Sequence, residues 1–171
     1  MLRMLVFSLV MLVMPLPANA ADKLTVLLDW FVNPDHAALI VARERGMYEQ
    51  AGLEVELVPP ADPSAPPRLV AAGQADLAIS YQPQLHVQID EGLPLMRVGT
   101  LAETPLNSLV VLQSSGIDSI ADLKGKTVGF SVGGFEDAVL GAMLKTTGLS
   151  LDDVKLVNIN FALSPSLITG N

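Results

Sequence analysis

The sequence predicts an α/β protein built on doubly wound, parallel or mixed β-sheets. Three observations carry that prediction. Short apolar runs alternate with helix-like segments in a β-α-β-α-β-α-β order as far as Thr100. The apolar runs are rich in Val, Leu, Ile and Ala, the composition of strands buried on both faces. Glycine or proline punctuates most of the junctions between the two kinds of segment.

In order along the chain, Leu24–Leu28 reads as the first strand and ends on Asp29. A polar loop with a proline follows (Asn33, Pro34, Asp35, His36). The spacing then predicts a helix over Asp35–Arg45, with Asp35 as its cap, Ala37, Ala38, Val41 and Ala42 as an apolar stripe, and Gly46 just past its end. Glu54–Val58 is a short strand. Prolines at 59, 60, 63, 66 and 67 exclude a strand or helix interior, so this stretch reads as a loop leading into a helix that starts near Ala65 and ends near Gly73. Ala75–Ile79 is a third strand, Pro83–Glu91 a helix closed by Gly92, and Leu95–Thr100 and Ser108–Gln113 two more strands.

The second half repeats that grammar. Ser119–Lys126 reads as a helical turn ending at Gly125, Thr127–Phe130 as a strand, and Gly133-Gly134 as a glycine turn. A helix over Glu136–Thr147, a strand over Val154–Asn158 and a helix opening at Ser164 complete it. Arg68–Gln74 and Pro165–Asn171 share a rhythm. That echo is either the start of a repeated lobe or a coincidence between two helix ends, where glycine is common.

The N-terminus carries Arg3, an apolar run over Met4–Val13, breaks at Pro15 and Pro17, and then Ala18-Asn19-Ala20. This is the order of a secretory signal peptide, with cleavage expected after Ala20. The alternative, a membrane anchor, would need a span of roughly 20 apolar residues, and this run is shorter and broken by proline. The chain has no cysteine, which removes disulfides and lipidation of an N-terminal cysteine and suits a bacterial periplasm. The 151 residues after Ala20 carry nine basic and eighteen acidic side chains, a net charge of −9. Without basic runs, that balance argues against nucleic acid and anionic membrane surfaces as partners.

Chemistry-bearing residues cluster at one strand-to-helix junction. Asp29, the single tryptophan Trp30, Asn33 and His36 lie within eight residues of each other. In an open α/β sheet, ligands bind outside the carboxyl ends of the strands, where the next helix presents free N–H groups. The competing reading makes Trp30 a core residue and Asp35 only a cap. Tyr81 and Gln82 follow the third strand at the same edge, either as a second ligand-facing turn or as a helix start with an exposed ring.

Three stretches carry a family resemblance: LDWFVNPDHAALIVARERGMYEQAGLEVEL (28–57), LVAAGQADLAIS (69–80) and LKGKTVGFSVGGFE (123–136). They resemble the periplasmic substrate-binding proteins of ABC importers, most closely the branch that binds thiamine pyrimidine precursors. The resemblance implies a periplasmic-binding-protein-like fold of two α/β lobes that close on a ligand, with no cofactor. It divides the chain into a signal peptide (1–20), lobe one (21–100) and an incomplete lobe two (101–171), since members run to roughly twice this mature length. It also implies a monomer that delivers an aminopyrimidine to a membrane permease. Asp29, Trp30, Asn33 and His36 match the family pattern. In it Trp30 is a flat platform for an aromatic ring, and Asp29 accepts hydrogen bonds from an amine or cationic ring. Tyr81 and Gln82 match a second ligand-facing turn, and Gly133, Gly134, Phe135 and Glu136 match the loop that meets the ligand from lobe two.

Two carboxylates around an indole, with no arginine in these loops, suit an amino-heterocycle better than a sulfonate or nitrate. The yeast-type pyrimidine synthases resemble these binders too, but carry a lysine and a histidine just after the third strand. Their pattern falls here on Ser80 and Gln84, with His86 off register by two and their cysteine-rich run absent. No other catalytic or metal-ligand spacing stands out, the two histidines being fifty residues apart. The expectation is a binding module for a thiamine pyrimidine precursor. The alternatives are a binder of another small solute or a truncated, non-functional remnant.

Overall fold

The computed structural model describes residues 20–104, 106–132 and 135–169. Residues 1–19 of the expected signal peptide (1–20) and the Gly133-Gly134 turn lie outside the described residues.

The first sheet has three parallel strands: β1 (Asp22–Leu27) in the centre, β2 (Leu53–Val58) on one side and β3 (Leu77–Ala78) on the other. β1 and β2 pair from Asp22↔Leu53 to Leu27↔Val58, and Leu28 extends the register by donating its N–H to the Val58 carbonyl at 2.9 Å. Val26, Leu27 and Leu28 are successive residues that face alternate sides of the sheet and all are buried, so the carboxyl end of β1 is covered on both faces and forms the core there. Burying each side chain stabilises the fold by about 1.5–3 kcal/mol. β3 is shorter than the sequence predicts for a chemical reason. The Asp76 carboxylate takes the Thr25 N–H at 2.7 Å, an amide that would otherwise serve the ladder. Hydrogen bonds from Asp76 N–H to Thr25 and from Ile79 N–H to Leu27 still hold the flanks in line.

The first helical segment starts earlier and breaks sooner than expected. Asn33, not Asp35, is its cap: Asn33 is extended, Pro34 takes the first turn position, and the Asn33 side-chain oxygen accepts from the Asp35 N–H at 2.8 Å. A 3-10 turn (Pro34–His36) passes into α1 (Ala37–Glu44). Gly46, at φ +63°, then redirects the chain into the short α2 (Met47–Gln50). The stripe expected on Ala37, Ala38 and Val41 is exposed. Leu39, Ile40 and Ala42 are the half-buried face, because Tyr48 of α2 folds back and donates its hydroxyl to the Leu39 carbonyl. α3 (Pro66–Ala71) and α4 (Gln82–Asp90) fall where the sequence places them.

The two strands expected at Leu95–Thr100 and Ser108–Gln113 do not form. Both stretches lie outside regular structure except for a 3-10 turn at Gln113–Ser115, and Met96 and Val98 are 78% and 71% exposed. A strand needs a neighbour to take its N–H and C=O groups, and no described strand lies beside either stretch.

The second sheet pairs β4 (Thr127–Phe130) with β5 (Lys155–Asn158) in parallel, joined by α5 (Glu136–Lys145) and followed by α6 (Leu163–Thr169). Its core is Leu123, Leu140 and Leu144, with Val128 and Leu156 packed against them. α5 stops two residues short of the expected Thr147. The hydroxyls of Thr146 and Thr147 turn back onto the carbonyls of Met143 and Leu144, and Gly148 follows at φ +77°. Gly129 in β4 lies against the Ile159 side chain, which fills the space a Cβ would need.

Candidate functional site

The site begins where β1 ends. Leu28 is fully buried, so Asp29 emerges at the sheet's carboxyl edge with its side chain still only 14% exposed. Two side chains from separate elements converge on it. His36, 1% exposed in the 3-10 turn, places Nε2 2.7 Å from Asp29 Oδ1. The Asn33 N–H donates to His36 Nδ1 at 3.3 Å, which assigns the proton to Nε2 and makes the imidazole the donor to Asp29. Tyr81, just past β3 and fifty-two residues away in sequence, donates its hydroxyl to Asp29 Oδ2 at 2.6 Å. Burial first, then the hydrogen bond to Asp29 and the charges of Asp29, Glu136 and Asp35, hold this phenol well above the usual tyrosine range.

The second sheet meets the first through rings. Tyr81 stacks on Phe135 with centroids 5.1 Å apart and planes 18° apart, and Phe135 is buried. Phe161, beyond β5, lies against Trp30 at 4.6 Å and 70° and against Phe31 at 4.5 Å. Glu136 opens α5, but its carboxylate turns into its own loop. Oε2 accepts from the Ser131 N–H at 2.7 Å and the Val132 N–H at 3.3 Å, and the Ser131 hydroxyl donates to Oε1 at 3.1 Å.

A groove of about 1040 Å³ opens beside Asp29, lined among others by His36, Tyr81, Gln82, Leu77 and Arg97. Gln82 is engaged there: its Oε1 accepts from Arg97 at 3.0 Å and its Nε2 lies 2.9 Å from His86 Nε2. Trp30 does not line this groove. The structure therefore brings Asp29, His36 and Tyr81 into direct contact and sets Phe135 against Tyr81. Asn33 acts through His36 and the turn, Glu136 faces inward, and Gly133 and Gly134 lie outside the described residues. Among the described residues no cluster of His, Asp and Glu is arranged to hold a metal ion. The sequence reading missed Phe161, Phe31 and Arg97. Phe161 follows β5 as Trp30 follows β1, a positional signal that was readable, whereas Arg97 sits in a stretch assigned to a strand.

Two parallel α/β sheets with the candidate side chains at their carboxyl edges define the periplasmic-binding-protein fold. The solved periplasmic aliphatic sulphonate binding protein of Escherichia coli matches it with a TM-score of 0.67 at 20% identity, over 88% of this chain and 49% of that one. The family model described as NMT1/THI5 like matches residues 33–171, and the chain belongs to that family. It is 59% identical over 96% of its length to a putative thiamine biosynthesis protein of Haemophilus influenzae, covering 52% of that protein. It is 35% identical over 89% of its length to a formylaminopyrimidine-binding protein of Halalkalibacterium halodurans, covering 46% of it. At 30% identity it also resembles a 4-amino-5-hydroxymethyl-2-methylpyrimidine phosphate synthase of Legionella pneumophila, of which it covers 47%. The chain thus spans about half the length of the curated relatives it matches.

Proposed function

We propose that this chain carries the solute-binding function of an ABC importer, capturing a thiamine pyrimidine precursor in the periplasm and passing it to a membrane permease. Lobe one (21–100) supplies Asp29 and Trp30, and lobe two (from 101) supplies the opposing rings, closing over a stacked heterocycle by hinge motion. The observation that carries this reading is the Asp29 carboxylate, held at the groove by His36 and Tyr81. A carboxylate so held accepts from an amino group, while Trp30 offers a face to an aromatic ring. A relative whose name specifies formylaminopyrimidine binding supports the same ligand class.

The binding role is favoured over a synthase by the Ser80–Gln84 pair. The residues that fall where the synthases carry lysine and histidine satisfy each other, the Ser80 hydroxyl donating to Gln84 Oε1 at 2.8 Å with Gln84 buried. Arg97 favours a second reading, an anionic solute, because its guanidinium reaches Gln82 at the groove. Isothermal titration of the purified chain with formylaminopyrimidine, taurine and nitrate separates these readings. Saturable binding of the pyrimidine alone is expected. Binding of the anions alone overturns the assignment, and no binding of any of them overturns the solute-binding reading for this chain.

A further inference from the structure

Trp30, the residue expected to stack on a ligand ring, already has a ring on it. Phe161 lies with its centroid 4.6 Å from the indole at 70°, and the same phenyl contacts Phe31 at 4.5 Å. Trp30 is half-buried, and it is absent from the lining of the groove that reaches Asp29, its immediate neighbour in sequence. The phenyl is carried on a short link between β5 and α6. There Asn160 stands at φ +49°, a conformation that Asn tolerates better than most residues, and its N–H bonds to the Asn158 side chain at 2.9 Å. The Ala162 N–H returns to the Ile159 carbonyl at 2.9 Å, closing a tight turn that aims Phe161 at lobe one.

We propose that Phe161 is an internal cap on Trp30, holding the indole until a planar ligand ring displaces it. Phe161 is then a specificity-determining residue. A solute must offer a ring that interacts with the indole better than this phenyl does, and a small aliphatic solute has no such ring. One such aromatic pair contributes only about 0.5–1.5 kcal/mol beyond its area burial, a hold that a planar ligand ring with further contacts in the site can exceed. Displacement also moves the β5–α6 link, so occupancy of the indole in lobe one is transmitted to lobe two. The ligand half of the proposal rests on the pyrimidine reading above; the capping half does not.

Because Trp30 is the single tryptophan, its fluorescence reports this contact without labelling. The purified chain and its Phe161→Ala and Phe161→Leu variants, each checked for native circular dichroism, are compared by acrylamide quenching. They are then titrated with formylaminopyrimidine and with 4-amino-5-hydroxymethyl-2-methylpyrimidine. Both variants should quench more readily than the parent, and Phe161→Ala should bind the pyrimidine about two- to tenfold more tightly, the strength of one aromatic pair. The leucine variant keeps the turn apolar and serves if the alanine variant does not fold. Unchanged quenching, or unchanged or weaker pyrimidine binding in the variants, overturns the cap. Increased quenching with no pyrimidine bound by any of the three proteins supports the cap and removes the pyrimidine reading instead.

Discussion

Asp29 and Glu136 look equivalent in the sequence: each is a carboxylate at the carboxyl edge of a parallel strand, close to an aromatic residue. The structure separates them. Asp29 accepts from an imidazole and a phenol, two side chains brought from different elements. Glu136 accepts from the backbone and hydroxyl of its own loop, at Ser131 and Val132. The Tyr81 hydroxyl can turn toward a ligand while its ring stays on Phe135, whereas the backbone donors on Glu136 cannot leave without unravelling the turn. The first arrangement suits exchange with a solute, and the second suits holding a loop in shape.

Truncation at the two positions should break the symmetry most clearly. Asp29→Ala leaves the buried His36 N–H and the Tyr81 hydroxyl without an acceptor, an expected loss of about 2–4 kcal/mol in urea unfolding, together with loss of pyrimidine binding by calorimetry. Glu136→Ala leaves the N–H groups of the buried Ser131 and Val132 without this acceptor and should cost about 1–3 kcal/mol, with a smaller effect on binding than Asp29→Ala. Equal effects on binding would give Glu136 the direct ligand role that its inward-facing carboxylate argues against. A gentler change tests the Asp29 side alone. Tyr81→Phe keeps the ring on Phe135 and removes only the hydroxyl, so stability should fall by about 1 kcal/mol. Ligand affinity should change more than that figure implies if Asp29 needs this donor to hold its position.

Most of the strand framework was readable because it is local chemistry. β1, β2, β4 and β5 lie within about two residues of the apolar runs that predict them, a typical margin for element ends. The stretches at Leu95–Thr100 and Ser108–Gln113 have the same β-like composition but form no strand, because composition does not supply a partner. The junction at Asp29 was equally legible, since carboxylate, indole and turn are adjacent. Its contact with Tyr81 was not, because nothing in the spacing of residues 29 and 81 records which hydroxyl will meet which oxygen. The direction of the Glu136 side chain was hidden for the same reason.

A second pair of carboxylates calibrates the comparison with the smallest expected effect. Asp122 and Asp153 close capping boxes with Ser119 and Ser150. The Ser119 hydroxyl and neighbouring backbone N–H groups hold Asp122 below the usual carboxylate range, and the Ser150 N–H and hydroxyl do the same for Asp153. A depressed folded-state pKa contributes stability above the unfolded value, and that contribution is lost as pH falls through the folded one. Thermal unfolding should therefore show a modest decline in Tm below about pH 4. Asp122→Asn and Asp153→Asn should flatten that decline without altering ligand binding.

The contact between Gly129 and Ile159 has a reach longer than its size suggests. Ile159 is two residues before Phe161, so the distance between β4 and β5 at that point also sets how far the phenyl projects toward Trp30. A methyl group at position 129 would act as a shim under the lever that carries the ring. The fit of an aromatic contact between two sheets is thus set partly by a single hydrogen atom inside one of them.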